Sequence, residues 1–139
     1  LLFDAKEKGA VFHLGEVPDA TSRFLSPVLI SNLSQQMHMW HSEIFGPVVA
    51  ITSFSEEEEA VALANDTIHG LAAYVFTKDS SRCWRVPEAL DYGMIGLNTG
   101  RISTAQSPFG GIKQSGIGRE GGRLGLEEYL QIKYVCQNI

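Results

Sequence analysis

The sequence predicts an α/β fold in which a parallel sheet is flanked by helices, and three observations carry that expectation. VVAITSF at 48–54 and LAAYVF at 71–76 are β-branched, apolar runs bounded by turn residues. The segment between them has the acidic start and apolar continuation of a helix, SEEEEAVALAND. MIGLN at 94–98 then follows a second helical stretch, so the alternation repeats. Strands apolar on both faces, alternating with short helices, point to a parallel sheet covered on both sides and joined by right-handed crossovers.

GAVFHL at 9–14 and FLSPVLI at 24–30 read as strands, although the first forty residues are the least patterned. Ser55 with Glu58 forms a capping box, and Glu56 to Glu59 oppose the positive end of the helix dipole, which starts a helix near Ser55. After the LAAYVF strand, Asp79 caps a second helix through SSRCWRVPEAL, where Pro87 should kink the helix or remove a hydrogen bond. A long loop, TGRISTAQSPFGGIKQSG at 99–116, follows the MIGLN strand, and ordered loops of that length commonly carry function. REGGRLGLEEYL at 119–130 reads as a helix and QIKYVCQNI at 131–139 as a last strand with Ile132, Tyr134 and Cys136 alternating. A terminal strand with no local partner is a candidate for pairing with another subunit.

Composition narrows the function. With 139 residues, 44% hydrophobic and 19% charged, the chain has ordinary globular composition. A net charge of -5 and scattered basic residues argue against a nucleic-acid partner. No apolar run approaches the ~20 residues that span a bilayer, so no membrane role is expected. Cys83 and Cys136 lie far apart without ligand-spaced partners, which suggests neither a metal site nor a disulfide framework and fits an intracellular, reducing compartment. His13, His38, His41 and His69 have no paired spacing. GIGREG at 116–121 spells a dinucleotide-binding turn, but the residues before it, FGGIKQS, cannot form the apolar strand that such a turn follows. Its glycines are expected to serve tight turning and close backbone approach instead.

EIFGPV (43–48), ANDTIHGLAAYVFTKD (64–79), GMIGLNTG (93–100) and SPFGGIKQSGIGRE (107–120) together resemble the C-terminal part of an aldehyde dehydrogenase. GLNTGRIST and GREGGRLGLEEYLQIKYVC are most similar to the succinate-semialdehyde dehydrogenases of that superfamily. The resemblance implies that residues 1–130 are the later, incomplete part of the catalytic domain and 131–139 an oligomerisation strand. It also implies an NAD- or NADP-dependent parent, acting in the cytoplasm or the mitochondrial matrix, that oxidises a semialdehyde. In the family the cysteine nucleophile, the general-base glutamate and the oxyanion asparagine lie upstream of the matched region. No catalytic residue is therefore expected here, and the isolated chain is expected to be inactive, to expose apolar surface and to self-associate. Cys83 and Cys136 match no nucleophile context and are expected to be buried and structural.

Position by position, the resemblance makes Glu43 the acceptor for the nicotinamide ribose hydroxyls and Phe45 the aromatic against the nicotinamide; the bland alternative is a solvated acid and a core ring. The usual acidic residue before that glutamate is Ser42 here. Ser103 matches the serine that hydrogen-bonds the distal carboxylate of semialdehydes, and Phe109 a pocket-wall aromatic. Arg101, two residues from Ser103, could add charge or lie on the surface. Asn98 and Thr99 edge the pocket or close the turn before Gly100. The rival readings are a dehydrogenase of another aldehyde class and a non-catalytic module that binds a full-length paralogue through 131–139.

Overall fold

The computed structural model describes residues 1–19 and 21–139. The chain divides into two compact units, Leu1–Thr67 and Ile68–Ile139.

In the first unit, α1 (Leu2–Glu7) leads into β1 (Val11–Leu14), β2 (Val28–Ser31), α2 (His38–His41), β3 (Val48–Ala50) and α3 (Glu57–Asn65). β2 is the central strand, antiparallel to β1 and parallel to β3 with Val28, Leu29 and Ile30 opposite Val48, Val49 and Ala50. Being central, β2 buries Val28 and Ile30, and these pack with Ala5, Met37 and Met39 into the core of the unit. The run expected as a strand over 48–54 is shorter than read: regular pairing ends at Ala50, although the Ile51 N–H still donates to the Ile30 carbonyl at 2.9 Å. Helix α3 also starts later than expected. Glu56 is its N-cap, and the reciprocal bond runs from the Ser55 N–H to the Glu59 carboxylate at 2.8 Å, in place of a box closed by Glu58.

In the second unit, β4 (Ala72–Val75), α4 (Ser80–Ala89) and β5 (Met94–Leu97) form a β-α-β unit with the two strands parallel, Ala72 opposite Met94 and Val75 opposite Leu97. α4 packs on β4 and buries Val86. Asp79 caps α4 as expected, accepting from the Arg82 N–H at 2.9 Å, and the helix runs through Pro87 to end at Ala89. Proline has no N–H for the Cys83 carbonyl four residues back, which weakens the helix near its end. Cover on both faces was expected, but the sheet is two strands wide with one helix on it, so Tyr74 and Leu97 stay 48% and 38% exposed.

The helix expected over 119–130 is two consecutive turns of 3-10 helix, Leu124–Tyr129. Gly121 and Gly122 have φ of +66° and +56°, a left-handed conformation that a right-handed helix cannot incorporate, so helical backbone begins only after them. Residues 131–139 belong to no helix or strand in this chain, and all are exposed. Cys136 is accordingly exposed, correcting the expectation of a buried thiol, whereas Cys83 is half-buried in α4.

The backbone of Gly70 joins three segments of the second unit. Its carbonyl accepts from the N–H groups of Gly93 at 2.9 Å and Ile112 at 3.0 Å, and its own N–H donates to Ser115 Oγ at 2.9 Å. Strand and loop meet so closely that a β-carbon on Gly93 would lie 2.1 Å from the Gly110 carbonyl oxygen. Replacing Gly93 by alanine should therefore cost roughly 1–3 kcal/mol of stability by overpacking against backbone. Gly100→Ala, with nothing within 4 Å of the added carbon, should stay within about 0.5 kcal/mol of the parent in urea unfolding. Equal midpoints for the two variants would contradict the junction.

Asp79 has a pH signature. Its carboxyl is held below the ordinary 3.8, chiefly by the Arg82 N–H, so the stability it contributes is complete above that pH and is lost as pH falls through the lower folded value. Asp79→Asn keeps an acceptor oxygen but does not titrate. Denaturation midpoints of the parent should thus drop more than those of the variant below pH 3.8, and parallel curves would exclude the effect.

Candidate functional site

Two regions hold the residues singled out in the sequence, one in each unit. In the first unit, Glu43 and Phe45 stand on the loop between α2 and β3. On the near side, Met37 and Met39 are 1% and 3% exposed and pin α2 into the core. On the far side, β3 pairs with β2, and the Val48 N–H donates to the Gly46 carbonyl at 2.8 Å. The loop itself is exposed. Phe45 is 95% exposed, so it is not a core ring, and it edges an apolar groove of about 370 Å³ shared with Leu1, Leu2, Leu25 and Ile44. Glu43 is exposed, and among the described residues nothing engages its carboxylate. A carboxylate with two open oxygens can accept from a vicinal diol, and a bare phenyl face can cover a flat ring.

In the second unit, the loop after β5 folds back beside the β4–β5 sheet and borders an open cleft of about 250 Å³. Arg101, Ser103 and Phe109 all line it, together with Leu71, Ala72, Tyr74, Met94, Gly100 and Ile102. The structure thus brings three of the five singled-out residues to one cleft. Asn98 turns the chain out of β5: at φ +53° its N–H donates to Val75 O, while its side-chain amide accepts from the Thr77 N–H and donates to Thr77 O. Asparagine tolerates that backbone because its short amide can bond locally, so Asn98 closes a turn and does not line the cleft. Thr99 Oγ1 accepts from the Arg101 N–H at 3.1 Å, which tightens the same bend. Gly96 lets the loop press onto the strand, since a β-carbon there would meet Thr99 O at 2.7 Å and Ile102 Cγ2 at 2.9 Å.

Phe109 is fixed by the stretch that spelled a nucleotide turn. Its N–H and C=O exchange two 2.7 Å hydrogen bonds with Glu120. Arg119 Nη1 donates to Gly111 O at 2.8 Å and Gly118 O at 2.7 Å, so its guanidinium holds loop carbonyls. Gly116, Gly118 and Gly121 all have positive φ and shape the return of the chain. GIGREG is a backbone clamp on the wall of the cleft. Sequence reasoning missed both Arg119 and Gly70; the signal was limited to the density of glycines around them.

Chemically, the residues lining the cleft offer an apolar body flanked by Tyr74 and Phe109, the hydroxyls of Ser103 and Tyr74 and one guanidinium, and no acidic side chain lines it. Among the described residues, neither Ser103 Oγ nor the Arg101 guanidinium has an internal partner, so both are available to an anion. Neither Cys83 nor Cys136 lines either region. Among the described residues no cluster of metal-ligating side chains occurs, and no helix is long and apolar enough to cross a membrane.

The family model for the aldehyde dehydrogenases matches residues 1–135. The chain belongs to the aldehyde dehydrogenase family. The mitochondrial succinate-semialdehyde dehydrogenase of Oryza sativa subsp. japonica is 50% identical over 134 residues, and that of Arabidopsis thaliana 52%. Each alignment covers 96% of this chain and 25% of the relative, so the chain spans about a quarter of the length of the curated relatives it matches. A crystal structure of succinate-semialdehyde dehydrogenase from Burkholderia pseudomallei superposes with a TM-score of 0.88 at 46% identity, covering 99% of this chain and 29% of that one. The fold is accordingly part of an aldehyde dehydrogenase, mixed α/β with parallel strand pairs and flanking helices.

Proposed function

We propose that this chain forms the substrate-recognition and part of the cofactor-recognition surface of an NAD- or NADP-dependent dehydrogenase that oxidises a short aldehyde with a distal carboxylate, succinic semialdehyde being the best fit. The observation that carries the reading is the convergence of Ser103, Arg101 and Phe109 on one small cleft. An apolar wall accommodates the methylene chain of such a substrate. The Ser103 hydroxyl and the Arg101 guanidinium supply donors for its anionic end, which would otherwise be desolvated without a partner. The absence of an acidic lining residue favours a substrate without an ammonium group, since a buried ammonium would need an acceptor.

The nicotinamide supplies the hydride acceptor when it is bound. Glu43 would hold the ribose hydroxyls through its two carboxylate oxygens, and Phe45 would lie against the ring and limit its movement. None of the described residues of this chain is assigned as nucleophile or general base. Residues 1–139 alone are therefore proposed to be inactive, and the segment 131–139, with its exposed Ile132 and Tyr134, is proposed to pair with another subunit of a homo-oligomer.

Kinetics of the full-length protein test the substrate assignment. Ser103→Ala should lower kcat/KM for succinic semialdehyde about 10- to 100-fold, corresponding to the 1.5–3 kcal/mol of a hydrogen bond to a charged group. The same variant should leave butanal, which has no carboxylate, nearly unchanged. An equal loss on both aldehydes would mean that Ser103 only supports the loop, and the proposed recognition would fall.

A further inference from the structure

The loop of Glu43 and Phe45 is exposed, so its position depends on the elements on either side. On its N-terminal side α2 is a single helical turn, tied at its start by the His38 N–H to Asp4 Oδ2 at 2.8 Å and held in the core by Met37 and then Met39. The next residue, Trp40, points about 100° further around the turn. Its indole Nε1 donates to Asp66 Oδ2 at 2.9 Å. The same carboxylate oxygen accepts from Gln35 Nε2, also at 2.9 Å, and the Asp66 N–H is tied to the Ala62 carbonyl at the end of α3. Met37 and Met39 in the core set the depth of the turn, and the bond of Trp40 to Asp66 holds a different face of it next to the loop. Of the two bonds to Asp66, that of Trp40 is nearer in sequence to the loop, three residues before Glu43.

We infer that Asp66 and Trp40 form a positioning pair for the cofactor loop: the end of α3 holds α2 in the one rotation that presents Glu43 and Phe45 together. The inference rests on the proposed roles of Glu43 and Phe45, but the loop anchoring can be read independently of them. Asp66 and Trp40 touch neither substrate nor cofactor in this account; they act through the loop. Trp40→Phe keeps the aromatic body and removes only the N–H donor. Asp66→Ala removes the acceptor, and Asp66→Asn retains an acceptor oxygen for the indole.

The experiment uses the full-length protein and two readouts, hydrogen–deuterium exchange of peptides covering 42–47 and steady-state kinetics with NAD and NADP. Trp40→Phe and Asp66→Ala should each accelerate exchange in 42–47 and raise the KM for the nicotinamide cofactor roughly 3- to 10-fold, less than the full worth of a hydrogen bond to a carboxylate because the pair acts through the loop. The KM for the aldehyde should stay within about twofold of the parent. Asp66→Asn should recover most of the effect, and the Trp40→Phe/Asp66→Ala pair should be no worse than Asp66→Ala alone. Unchanged exchange in Trp40→Phe, or losses that follow thermal stability across both substrates, would overturn the positioning role. A Glu43→Gln control separates the layers. Faster loop exchange with no change in cofactor KM, in a protein where Glu43→Gln is also silent, would refute the cofactor role of the loop while leaving the anchor in place, and the positioning inference for cofactor binding would fall with it.

Discussion

The second unit depends on one backbone junction, the peptide groups flanking Gly70. A single carbonyl receives the start of β5 through Gly93 and the returning loop through Ile112, while the Gly70 N–H is held by Ser115. Gly70 is buried, and a β-carbon there would lie 2.8 Å from Ile112 Cγ1 and 3.0 Å from Asp91 O. Only a residue without a side chain allows three chain segments to share that space. The hydrogen bonds are individually modest, but they meet at a buried residue and join half-buried segments, so together they fix the junction. Because the loop is fixed where it leaves β5 and again at 112–115, the intervening residues are confined to an arch beside β4 and β5. The cleft is bordered by that arch.

This arrangement explains how a loop without regular secondary structure can hold a defined surface. Its order comes from bonds at spaced points: the Asn98 side-chain amide to the Thr77 backbone, and main-chain bonds of Ser107 to Thr104, Gly122 to Ala105, and Phe109 with Glu120. Side chains between those points, Arg101 and Ser103 among them, line the cleft from a fixed backbone, with no partner for their polar ends among the described residues. Arg119 adds a charged clamp, and it places its guanidinium on carbonyls at 111 and 118, away from the lining of the cleft. The two arginines near the loop therefore divide the work, one bonded to the backbone and one open to a ligand.

The first unit holds its functional loop by a different means. There the anchors are side chains in the core, Met37 and Met39, with Val28 and Ile30 from the central strand against them. Methionine is adaptable in packing, so apolar contact alone leaves the rotation of a four-residue helix loosely defined. Directional hydrogen bonds to Asp66 supply what packing cannot. Asp4 plays a comparable part at the other end of that segment, receiving the His38 N–H at 2.8 Å as well as the Lys8 ammonium. Those bonds, with Lys8 first, hold the Asp4 carboxyl below its ordinary value.

The sequence by itself determined what depends on neighbours in the chain. Helix α4 was legible because Asp79 bonds three residues ahead, and β4 and β5 because unbroken apolar runs between turn residues have few other uses. The four family motifs were likewise local spellings. Helix α3 was legible in kind but not in its start, since a row of four glutamates offers several equivalent capping partners and only the folded backbone selects Glu59. Tertiary structure alone decided that GIGREG clamps Phe109, that REGGRLGLEEYL winds as 3-10 helix, and that Cys136 is exposed. The first rests on a contact between residues distant in sequence, the second on a glycine conformation that many contexts permit, and Cys136 is exposed because residues 131–139 join no strand of this chain. Pattern shows which conformations a glycine-rich segment can adopt; the packing around Gly70 and Gly93 decides which one it does.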